Sequence, residues 1–175
     1  FNYAAPSEDI LGGVKDVCLI YHNVHNFDEK ELLPYVAYLD ENGNIKDSMF
    51  DGYLFLPSTG ALPSGGHPHG TNTASDWNYL FDELFTSGKN FDALDKTAAK
   101  VNKALGKDEK LKVYVTIPHM DDTLVEFGDI DFDGKNDSLT TLSNRVYVAK
   151  YYAQRVIKEF NSKNYQNIEL LGFYW

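Results

Sequence analysis

Four short apolar runs divide the chain: Asp16–Tyr21 (DVCLIY), Gly52–Leu56 (GYLFL), Lys112–Ile117 (KVYVTI) and Ile168–Trp175 (IELLGFYW). Each is too short for a helix and rich in β-branched or aromatic residues. Their apolarity is continuous rather than alternating, which predicts strands buried on both faces, as in a parallel sheet under helices. Between the runs the apolar positions take a helical spacing. Asp28 is placed to cap a helix over Glu29–Leu39, with Pro34 expected to kink or split it and the turn Glu41-Asn42-Gly43-Asn44 to end it. Ser75 is the expected N-cap of Asp76–Phe85, whose inner face carries Trp77, Leu80, Phe81 and Leu84. Phe91–Leu105 repeats the pattern through Phe91, Leu94, Ala98, Val101 and Leu105, and Gly106 ends it. Ser143 opens the longest helix, with Val146, Ala149, Val156 and Phe160 as its buried stripe.

Strand and helix in alternation define α/β units with parallel crossovers. No Gly-x-Gly-x-x-Gly turn follows the first strand. Tyr21-His22-Asn23-Val24-His25 stands there instead, which disfavours a dinucleotide fold. A (β/α)8 TIM barrel fits the alternation better, but it needs eight strands and about 250 residues. The chain therefore reads as the first four βα units of such a barrel, an N-terminal half spanning residues 1–175 with an acidic loop at 127–140. A half barrel would expose two unpaired sheet edges.

Composition narrows the partners. The 43% apolar share in 175 residues suffices for a core, and the net charge of −10 comes without any Lys/Arg-rich block. Nucleic acid and anionic membrane are thereby disfavoured, because phosphate recognition needs a basic surface. No run reaches the ~20 apolar residues of a membrane span. The N-terminal Phe-Asn-Tyr-Ala-Ala-Pro lacks the basic-then-apolar form of a signal peptide. The single cysteine, Cys18, can build neither a disulfide framework nor a thiolate metal site.

Barrel enzymes place their chemistry at the C-terminal tips of the strands. Here the tips read Tyr21-His22-Asn23, Pro57-Ser58-Thr59, Pro118-His119-Met120 and Tyr174-Trp175. All five histidines, His22, His25, His67, His69 and His119, fall on or after the first three strands. The tips thus predict a polar cleft in which Tyr21, His22, Asn23, Ser58, His67, His69 and Trp175 bind substrate. His119 is placed to assist proton transfer, with Asp121 or Asp122 in the next loop as auxiliary carboxylates, while no pair of these residues forms an acid/base couple. Glu126 shares that loop, while Asp51 and Glu169 belong to the opposite end of the strands. His67-Pro68-His69 also raises a metal-dependent hydrolase, since two histidines one residue apart can share an ion.

Asp129-Ile130-Asp131-Phe132-Asp133-Gly134-Lys135-Asn136-Asp137 is the sharpest local motif. Oxygens from Asp129, Asp131, Asp133 and Asp137, with the Lys135 carbonyl, follow a calcium-loop spacing, and Gly134 permits the tight turn. Thr140 replaces the usual bidentate Glu, so Asp137 or Glu126 would have to complete the shell. Calcium bound there would staple the loop and take no part in the chemistry.

Several segments resemble a family of secreted bacterial proteins known as a domain of unknown function, numbered 4855. They are Leu33-Pro34-Tyr35-Val36-Ala37-Tyr38, Met49 to Leu56, Phe127-Gly128-Asp129 and Leu171-Gly172-Phe173-Tyr174-Trp175. The resemblance implies a glycoside-hydrolase-like barrel, a carbohydrate partner and a secreted or cell-surface location. It also implies a Glu shortly after the Phe-Tyr-Trp strand end, beyond Trp175. The alternative under the same resemblance is a non-catalytic barrel that binds carbohydrate or a cell surface through the same cleft.

Overall fold

The computed structural model describes residues 13–58 and 60–175. The N-terminal hexapeptide and Thr59 of the second strand tip lie outside the described residues. Four strands, β1 (Val17–His22), β4 (Gly52–Pro57), β5 (Leu111–Thr116) and β6 (Ile168–Tyr174), pair in parallel in the order β1-β4-β5-β6. Each new strand is added on the same side of its predecessor. This one-way winding differs from a doubly wound sheet, in which the order reverses. The four-stranded sheet stays open and does not close into a barrel.

One-way winding leaves the two faces of the sheet unequal. Cys18 and Ile20, Tyr53 and Phe55, and Val113 and Val115 are buried in the main core. Over them pack α2 (Ala74–Leu84), α3 (Asn90–Leu105) and α4 (Leu142–Ser162), through residues such as Trp77, Phe91 and Val156. The alternate residues of β1, Val17, Leu19 and Tyr21, remain 45–49% exposed on the opposite face. The expectation of strands buried on both faces therefore holds for β4 and fails for β1.

Local chemistry explains the element bounds. Helix α1 (Glu29–Val36) starts at a full capping box: Asp28 accepts from the amides of Lys30 and Glu31, and Glu31 accepts from the Asp28 amide at 2.9 Å. Pro34 lies inside α1, which stops two residues later instead of running to Leu39. The Asp40 carboxylate gathers the amides of Asn42 and Asn44, and Gly43 takes φ +78°. That turn folds the chain into a hairpin of β2 (Ala37–Leu39) and β3 (Ile45–Ser48). The true N-cap of α2 is Thr73 rather than Ser75, because Thr73 and Asp76 form a reciprocal capping box. In α4 the cap is Thr141 rather than Ser143, and the buried stripe runs through Val148, Ala149, Tyr152, Val156 and Phe160 while Val146 is exposed. Asp51 accepts from the amides of Lys15 and Asp16, and Glu169 pairs with Lys112, both at the N-terminal end of the sheet as expected.

In β6 the register shifts, so that Leu170 faces Val113 but Gly172 faces Tyr114. Leu171 is thus the extra residue of a bulge, which turns Tyr174 onto the open face opposite Thr116. Without the bulge, alternation would point Tyr174 under the helices.

Candidate functional site

A cavity of about 650 Å³ lies over the C-terminal ends of β4, β5 and β6. Leu56 and Thr116 come from the open face of the sheet, and residues 117–122 form one wall. His69 enters from the loop after β4, Arg145 from the first turn of α4, and Tyr174 and Trp175 from the end of β6.

The walls are held by Asn72, which is buried before α2. Its Nδ2 donates to Gly70 O at 2.9 Å and to His119 O at 3.0 Å, and its Oδ1 accepts from Trp77 Nε1 at 2.6 Å. One amide thereby joins the His69 loop, the His119 loop and the core. The His119 amide adds a bond to Pro68 O at 3.3 Å.

His69 Nε2 lies 3.0 Å from Pro57 O, and a carbonyl only accepts, so Nε2 is the donor of this bond. His67 Nδ1 accepts from the His69 amide at 3.1 Å and does not line the cavity. Among the described residues, the two join no cluster of three metal-ligating groups.

Asp121 is firmly oriented. It accepts from Thr123 Oγ1 at 2.6 Å, from the Thr123 amide at 3.0 Å and from Thr71 Oγ1 at 2.9 Å. The Thr123 hydroxyl, followed by the other two bonds, holds its carboxyl below the usual range. Asp121 is therefore an ionised acceptor near neutral pH and a poor proton donor. Asp122 is exposed at the rim. Trp175 is 73% exposed, and its ring is free to receive an apolar face of a ligand.

The remaining tip residues stand apart from the cavity. His22 points under the helices with its Nδ1 unpartnered among the described residues, and burial pushes its pKa down to about 3. Asn23, at φ +74°, accepts from the Ser58 amide at 2.7 Å and so ties β1 to β4. Tyr21 is exposed on the open face, and His25 pairs with Glu31 at 2.8 Å beside α1. Thr116, Arg145 and Asn72 are the residues that sequence reasoning missed.

The acidic loop closes through a bridge between Gly128 and Asp137. It brings carboxylate oxygens of Asp129, Asp131 and Asp137 within 4.8 Å of one another. Asp133 stays outside this group and pairs with Lys135 Nζ at 2.7 Å. Backbone amides already occupy part of the set: Asp129 accepts from Gly134 at 2.8 Å, and Asp137 accepts from Ile130 at 3.0 Å. Asp131 also accepts from Tyr147, which raises the Tyr147 hydroxyl to about 12.

The chain is thus a mixed α/β protein with a one-way parallel sheet and a cleft over the C-terminal ends of its strands. The chain belongs to the family described as "Domain of unknown function (DUF4855)", which it matches over residues 16–175. No curated protein and no solved structure matches it.

Proposed function

We propose that the protein is glycoside-hydrolase-like and acts on a poly- or oligosaccharide through the cleft over β4, β5 and β6. The observation that carries this reading is the combination, in one cavity, of exposed Trp175 and Tyr174 with Asp121, Asp122, His69 and His119. A sugar ring offers C–H faces to an aromatic side chain and hydroxyls to carboxylates and imidazoles. Asp121, held ionised, is the acceptor or base, and Asp122 or His119 is the proton donor. The same reading includes closure of the parallel strands into a (β/α)8 barrel. Its support is the bare face of Val17, Leu19 and Tyr21, which further strands would cover. A polysaccharide substrate also fits a secreted or cell-surface location.

The test is turnover and binding by the full chain on a panel of plant, algal and bacterial glycans. At least one should be cleaved, and Asp121→Asn should slow cleavage about 10²–10⁴-fold. Neither cleavage nor binding of any glycan would sink the proposal. Binding without cleavage would favour a carbohydrate-binding module, a reading supported by the three donors that already engage Asp121.

We also propose calcium as a structural ion held by Asp129, Asp131 and Asp137, with the Lys135 carbonyl of the same loop as a further ligand. Addition of calcium at 100 times its dissociation constant should stabilise the protein by about 2.7 kcal/mol. A chelator should reverse the gain, and Asp129→Asn with Asp137→Asn should abolish it. An unfolding midpoint indifferent to calcium would remove the ion from the account.

A further inference from the structure

The chain carries two arginines, and the fold uses them in opposite ways. Arg155 is held from three sides. Its guanidinium lies 3.8 Å from the Phe81 ring centroid, donates to Asn78 and stands 3.9 Å from Asp82. Arg145 lines the cleft, and among the described residues its guanidinium makes one bond within the fold, from Nη1 to Leu139 O at 2.7 Å. Among the described residues it joins no ion pair, although Asp121 and Asp122 line the same cavity. Asp121 spends its oxygens on Thr71 and Thr123 instead.

A guanidinium presents five N–H donors in a planar fork, so most of this one is left for a ligand. Its position sharpens the point. A cation in the first turn of a helix is opposed by the helix dipole, and α4 has no acidic residue in that turn to offset it. In a chain of net charge −10, an arginine inside a cleft with no carboxylate at ion-pair distance among the described residues is poorly explained by folding.

We infer that Arg145 is a specificity residue that grips the carboxylate of an acidic sugar, so that the cleft takes a uronic-acid-containing glycan. The inference rests on the carbohydrate reading above. A carboxylate matches the planar fork through two parallel bonds, whereas a sulfate ester offers similar charge with tetrahedral geometry. Asp121 and Asp122 exclude that carboxylate from their own wall and so fix which way the sugar lies.

The experiment is calorimetric titration of the full chain, its R145K variant and its R145Q variant. The probes are a galacturonate tetrasaccharide, the neutral galactose tetrasaccharide and a sulfated galactose tetrasaccharide. The wild type should bind the uronate about tenfold more tightly than the neutral sugar. R145Q should erase that preference, R145K should keep part of it, and added salt should shrink it. Matching thermal midpoints would assign these changes to the ligand and not to the fold. Equal binding of the neutral sugar, stronger binding of the sulfated one, or a preference that survives R145Q overturns the inference and leaves the carbohydrate reading standing. Binding of none of the three overturns it as well, and failure across the whole glycan panel removes both.

Discussion

Replacing Trp77 by Ala is expected to cost about 3–5 kcal/mol of stability and to loosen the cleft as well. The indole is fully buried, with ring centroids 5.5 Å from Phe127 and 5.2 Å from Tyr152, both edge-on. Alanine leaves a void bounded by two rings that belong to different elements. It also removes the donor to Asn72 Oδ1, which would then be a buried acceptor without a partner. Asn72 holds Gly70 and His119 from its other end, so the defect reaches the loops that carry His69 and His119. Trp77→Phe separates the two effects, since it loses the N–H while keeping most of the apolar volume. Denaturant melts with unchanged slope should report the full loss for Ala and about 1–2 kcal/mol for Phe. A loss below about 1 kcal/mol for Trp77→Ala would mean that the site collapses freely, contrary to its role here.

The strands were legible because continuous apolar runs bounded by turn residues have few alternatives. Gly52–Leu56, read from the sequence, differs from β4 by one residue. The hairpin was not legible, because Ala37, Tyr38 and Leu39 continue the apolar spacing of α1. What turns them into a strand is the Asp40 turn, which closes the hairpin with β3 and is a hydrogen-bonding event without periodicity. The site shows the same division. A strand tip tells where along a strand a residue lies, but not which face it takes. His22 and Tyr21 are neighbours at one tip, yet alternation sends His22 under the helices and Tyr21 to the open face. At β6 even alternation misleads, since the bulge at Leu171 is needed to put Tyr174 in the cleft. Arg145 escaped notice because a charged residue early in a long helix resembles a solvated face. Only the packing of α4 against the end of the sheet makes it a cleft residue.

Acid should weaken the protein through Asp76, and Asp76→Asn should remove much of that sensitivity. The carboxylate is fully buried and accepts from Ser64 Oγ at 2.5 Å, the Thr73 amide at 2.8 Å, the Ser64 amide at 3.0 Å and Thr73 Oγ1 at 3.0 Å. Burial alone would raise its pKa, but the bonds from Ser64 and Thr73 outweigh it and hold the group below its ordinary value of 3.8. With the folded value depressed, the stabilisation is fully present above the unfolded value and is lost as pH falls through the folded one. An asparagine keeps one acceptor oxygen and turns an NH₂ toward groups that themselves donate, which should cost about 3 kcal/mol at pH 7. Asp76 completes the capping box of α2 and pins Ser64 in the loop that precedes it, so the loss of stability should extend to that loop. The decisive measurement is the stability gap between wild type and D76N, at pH 7 and again below pH 3.8. Asp28, Glu31, Asp40, Asp121 and Asp133 also have lowered values, but they titrate alike in both proteins and cancel from the difference. The gap should narrow as the wild-type carboxyl takes up its proton. A gap of constant size would show that shape, and not charge, is what Asp76 contributes.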